Sequence, residues 1–114
     1  MKVISKNGAP HYKWGDDCDG WHLVQSDQLS VIQERVPAGC SEVLHLHHKA
    51  EQFFFVLTGV ATMEVAGELQ QIPAQHGIHI PPGVPHKLSN NETTDLSFLV
   101  TSTPPSHGDR QILE

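Results

Sequence analysis

Apolar and polar residues alternate over short stretches of this chain, and no stretch keeps a helical period for three turns. Nine segments read as β-strands: 21–24, 29–36, 42–47, 52–57, 61–65, 69–72, 78–80, 86–88 and 96–101. Val36-Pro37-Ala38-Gly39, Thr58-Gly59, Ala66-Gly67 and Pro81-Pro82-Gly83 supply the fixed or positive φ angles that hairpins and corners need. Many short strands with frequent turns predict an all-β sandwich or barrel, because closing the sheet removes exposed edges. In the segment 52–57, Phe54 and Val56 share the face of Gln52, while Phe53, Phe55 and Leu57 take the other face. A strand apolar on both faces needs cover on both, from the N-terminal segment or from a second copy of the chain. Residues 1–20 read as an N-terminal arm. Residues 103–114 read as a C-terminal tail, because Pro104 and Pro105 cannot continue a strand.

At 114 residues the chain has the length of one domain, 1–114, and a homodimer is the expected assembly for so small a core. The formal charge of −6, without a cluster of Lys and Arg, excludes a general nucleic-acid binder or a binder of anionic membranes and leaves small molecules or proteins as partners. The N-terminal stretch holds no apolar run suited to a signal peptide or a membrane span, so a cytoplasmic location is expected. Cys18 and Cys40 show no C-x-x-C spacing and read as two reduced thiols. Nine histidines stand out, and histidine is the commonest metal ligand.

His45 and His47 are two apart on a predicted strand, so both imidazoles leave one face and can approach a single ion. Gly39 precedes His45 by five intervening residues, four separate His47 from Gln52, and six separate Gln52 from Gly59. This resembles the first motif of the cupins, G-x5-H-x-H-x3-4-E-x6-G, with glutamine where the family usually has glutamate. Pro81-Pro82-Gly83-Val84-Pro85-His86 followed by Asn90 resembles the second cupin motif, whose core is P-x-G-x2-H-x3-N. The two motifs occupy about 39–59 and 75–90.

The resemblance implies a single-domain jelly-roll (cupin) β-barrel holding one divalent transition metal ion through His45, His47, Gln52 and His86. Glu51 also satisfies the spacing from His47, whereas the spacing to Gly59 favours Gln52. Adjacent strand residues face opposite ways, so the two are alternatives. Gln75 and His76 replace the usual Gly-Asp of the second motif, with the glycine displaced to Gly77.

Three imidazoles and an amide are neutral, so the ion keeps its double charge and favours an anionic ligand. Imidazole with oxygen suits Mn, Fe, Co, Ni, Cu or Zn and does not choose among them. Open coordination positions admit Lewis-acid chemistry. By resemblance this is a metal-dependent isomerase, lyase or dioxygenase acting on a small carboxylate- or hydroxyl-bearing molecule, such as a sugar or sugar acid. A non-catalytic cupin that binds a small ligand through its metal is the alternative. Candidate substrate contacts are Gln33 and Arg35, which share one face of their strand, Phe54 beside Gln52, and His79. His76 and His79 are also candidates for proton transfer.

Overall fold

A computed structural model describes residues 1–114. A 3-10 turn at Lys6–Gly8 precedes eleven strands: β1 (His11–Trp14), β2 (Cys18–Gln25), β3 (Ser30–Val36), β4 (His45–His47), β5 (Glu51–Thr58), β6 (Val60–Val65), β7 (Glu68–Pro73), β8 (Gly77–Ile80), β9 (His86–Ser89), β10 (Leu96–Thr103) and β11 (Arg110–Ile112). They form a six-stranded sheet, β1-β2-β3-β10-β5-β8, and a five-stranded sheet, β11-β4-β9-β6-β7. Every strand pair is antiparallel. The result is the single-domain double-sheet barrel that the strand pattern predicts.

Period-two alternation supplies the core. On β10, Leu96, Phe98 and Val100 point inward, with Ser102 continuing the row. On β5, Gln52, Phe54 and Val56 do the same. Ile32 and Val36 of β3, Met63 of β6, Ile72 of β7 and Leu88 of β9 complete one contiguous cluster from both sheets. Gly59 makes the β5–β6 corner. Its φ is +86°, and a Cβ there would stand 2.8 Å from the carbonyl oxygen of Asp95, so glycine alone fits without strain.

Two strands lie outside the predicted set. Within the expected N-terminal arm, residues from His11 onward enter the six-stranded sheet, Tyr12 standing opposite Gly20 and Trp14 opposite Cys18. Within the expected tail, Arg110–Ile112 return to pair with β4. The Asp109 carboxylate holds that return by accepting the backbone N–H groups of His48, Lys49 and Ala50 at 3.1, 2.9 and 2.8 Å. Residues 42–44, read as the start of a strand, lead into β4 without being part of it.

The outer face of the six-stranded sheet carries Trp21, Leu99 and Phe55 in one cross-strand row and Val31 and Phe53 in the next. Phe53 is 44% exposed. The N-terminal strands extend this sheet at its edge; Lys6 stands 5.2 Å over the Trp21 ring, while the face around Phe53 stays open. No helix is long and apolar enough to cross a membrane.

Candidate metal centre

His45 and His47 occupy alternate positions of β4 and so point to one side, into the barrel. The neighbouring strand β9 begins with His86, which pairs directly with His45. Backbone register therefore brings the three imidazoles together, each with one ring nitrogen within 4.8 Å of the others. All three are at least nine-tenths buried.

The hydrogen bonds set the tautomers. His45 Nδ1 lies 2.8 Å from the Val43 carbonyl oxygen and His86 Nδ1 lies 2.9 Å from that of Val84. A carbonyl only accepts, so Nδ1 carries the hydrogen in both rings and Nε2 keeps its lone pair. His86 Nε2 is buried with no hydrogen-bond partner, and His47 Nδ1 is likewise unpartnered. Burial holds the His45 imidazolium down to about 4, opposed by its bond to Val43 and aided by His86, Arg110 and His47. Burial also lowers His47 and His86. Neutral rings with free lone pairs are what a metal ion requires.

Gln52 approaches from the facing sheet. Its Nε2 donates to Ser102 Oγ at 2.9 Å, which fixes the amide orientation and leaves Oε1 buried and unpartnered. Such orphaned atoms are costly in an interior and fit a bound cation that accepts their lone pairs. Glu51 takes the opposite face of β5. Its carboxylate lies in the exposed surface, 2.5 Å from His79 Nε2.

The cluster opens into a cavity of about 240 Å³. Tyr12, Trp14 and Phe54 form its aromatic wall, and Glu34, Glu42 and Arg110 supply its charge. Burial pushes the Glu34 carboxyl up to about 8, with repulsion from Glu42 adding to it. Burial pushes Glu42 up to about 7, opposed by the Leu88 N–H and by Arg110.

Of the candidate substrate contacts, the structure brings Phe54 to the cavity and not the other three. Gln33 donates to Ser97 Oγ at 3.5 Å on the outer face of the sheet. On that face too, Arg35 pairs through Nε with Asp19 at 2.7 Å and through Nη1 with Asp95 at 3.2 Å. His79 is the exposed partner of Glu51. Alternation carries the reason: Ile32 and Val36 face the core, so Glu34 between them does as well, and its neighbours Gln33 and Arg35 cannot. The apolar flanks of Glu34 were a signal for it. His107 and Arg110 also line the cavity, from a segment whose local sequence shows no strand.

Comparison with known proteins agrees with this fold. Residues 32–102 match the cupin domain family. An uncharacterized protein of Methanocaldococcus jannaschii is 36% identical over 94 residues, covering 82% of this chain and 75% of that one. The polyketide cyclase RemF from Streptomyces resistomycificus superposes with a TM-score of 0.85 at 18% identity, covering 100% of this chain and 86% of that one. A predicted oxalate decarboxylase from Thermotoga maritima gives 0.84 at 19% identity, covering 91% and 100% respectively. At these identities the two superpositions speak for the fold alone.

Proposed function

The chain belongs to the cupin domain family, and from that premise we propose that it is a metal-dependent enzyme acting on a small carboxylate- or hydroxyl-bearing molecule. One observation carries this reading. Three buried imidazoles meet within 4.8 Å, two of them and Gln52 line one cavity, and no protein group satisfies His86 Nε2 or Gln52 Oε1. His45, His47 and His86 with Gln52 would hold the ion, and the donor set admits Mn, Fe, Co, Ni, Cu or Zn. When bound, the ion supplies Lewis-acid polarisation of a substrate oxygen.

The remaining work falls to the chain's own side chains. Arg110 presents a guanidinium to an anionic substrate group. Tyr12, Trp14 and Phe54 offer flat apolar surface that excludes water from the carbon skeleton. A cavity of about 240 Å³ suits a molecule of metabolite size. The uncovered apolar face around Phe53 and Phe55 supports a homodimer built on the six-stranded sheet.

Calorimetric titration of a divalent transition metal tests the reading. His86→Ala should lose high-affinity binding while the barrel stays folded, and undiminished binding by that variant would refute it. Gln52→Glu should tighten the metal through a charged oxygen and weaken small dicarboxylates that compete for the open positions. Turnover of no hydroxy acid or sugar acid, with metal bound, would favour a ligand-binding cupin without catalysis.

A further inference from the structure

Two acidic side chains line one cavity inside the barrel close enough for Glu42 to repel Glu34, and no salt bridge of the chain includes either. Glu34 comes from β3 of one sheet and Glu42 from the segment entering β4 of the other. Both line the cavity that His45, His47 and Gln52 also line. Neither carboxyl is in a salt bridge, and the charge of Arg110 across the cavity only partly offsets their burial, so keeping two of them there costs stability. We propose that Glu34 and Glu42 are the proton-transfer pair of this cavity, one as carboxylate and one as carboxyl, acting on a hydroxy-carbonyl compound held at the histidine cluster. The inference rests on the metal-site reading above.

The positions fit that task. Glu42 Oε1 accepts the Leu88 N–H at 3.0 Å, which fixes the carboxyl and leaves its second oxygen for the cavity. Leu88 is two residues beyond His86 on β9, a step of roughly 7 Å along a strand. Opposite Glu34 across the β2–β3 pair is Gly20, which has no side chain. The Tyr12 ring occupies that space and walls the carboxyl from solvent. Gln52 Oε1, nine-tenths or more buried and unpartnered, marks the same cavity as a ligand site.

The titratable groups around the pair are Tyr12 on β1, Cys18 on β2, His45 and His47 on β4, His86 on β9, His107 before β11 and Arg110 on β11. Like charges in one site do not ionise together, and burial with mutual repulsion favours sharing one proton between the two. The step balances on that proton. The carboxylate removes hydrogen from the carbon beside the carbonyl, and the C–H electron pair forms the new C=C bond. The carbonyl π pair moves to oxygen, which takes the proton of the other carboxyl. The product is an enediol, and the pair again holds one proton. Return of the proton to the former carbonyl carbon interconverts aldose and ketose, and return to the original carbon from its other face inverts that centre.

The test uses metal-loaded protein in D2O with D-glyceraldehyde as probe, following deuterium entry at the carbon beside the carbonyl by NMR. Glu34→Gln and Glu42→Gln should each lower exchange about 100-fold or more, with metal affinity by calorimetry unchanged. Independently of activity, infrared spectra at mildly acidic pH, above the ordinary carboxyl range, should show a protonated-carboxyl band that each substitution diminishes. Exchange at the parental rate in both variants, no exchange in the loaded parent, or no such band would overturn the proposal. Failure to take up metal would instead sink the metal-site reading, and the infrared band would still judge the pair.

Discussion

Asn90, the last residue of the second motif, is fully buried, and both ends of its amide are spent on backbone groups. Its Nδ2 donates to the Val36 carbonyl at 2.9 Å and the Thr94 carbonyl at 2.8 Å, and its Oδ1 accepts the Glu92 N–H at 3.1 Å. One side chain thus ties the end of β3 to the turn that launches β10. Asn90→Ala removes three hydrogen bonds of about 1 kcal/mol each, so the expected loss is about 3 kcal/mol. For a chain of this length a loss of 1 kcal/mol lowers Tm by about 4 °C, giving a drop of about 12 °C. Asn90→Asp keeps the shape but turns carboxylate oxygens toward two carbonyls. It should cost more than alanine at neutral pH. Its buried carboxyl would have a raised pKa, so the deficit should shrink as acid protonates it and restores one donor. Urea denaturation and calorimetry of both variants measure these losses, with metal titration alongside. A loss under about 1 kcal/mol, or a fall in metal affinity like that of His86→Ala, would show that Asn90 is not the structural tie described.

Gly20→Ala would bring a Cβ to 2.5 Å from Tyr12 Cε1 and from its hydroxyl, so the ring must leave the cavity wall at a cost of about 1–3 kcal/mol. Tyr12 is the only tyrosine, and unchanged NMR shifts of its ring would contradict this. Asp19, 8% exposed in its side chain, accepts from His11 at 2.6 Å, Lys13 at 3.0 Å and Arg35 at 2.7 Å. Burial raises its carboxyl, but these three donors outweigh burial and hold it below the usual range. A depressed folded pKa stabilises fully above the unfolded value and is lost as pH falls toward the folded one. Asp19→Asn should therefore destabilise the protein at neutral pH and flatten the acid limb of its stability profile, and parallel profiles would refute the pairing. Sedimentation should give a dimer at micromolar concentration and a monomer for Phe53→Lys; a monomeric parent would reject the interface.

Strand positions and the inward row of β5 were legible because local alternation carries them. The meeting of His45, His47 and His86 was legible through motif spacing, and register explains why that spacing works: His45 pairs with His86 across β4 and β9. Strand β11 was not legible. Its pairing and the Asp109 contacts join positions about sixty residues apart, where no local pattern reports them. Strand β1 hides its partner behind Gly20, a residue that weakens any strand pattern. Arg35 was attractive as a substrate clamp because of its charge. Its guanidinium is instead satisfied by Asp19, Asp95 and the Asp17 carbonyl on the outer face, while Glu34 beside it took the interior.

X-ray absorption at the edge of the bound metal tests the central claim most directly. The account predicts three imidazole nitrogens and at least one oxygen in the inner shell, with Gln52→Leu removing one oxygen and Glu51→Leu removing none. A shell without three imidazoles, or one that Glu51→Leu alters and Gln52→Leu does not, would contradict it.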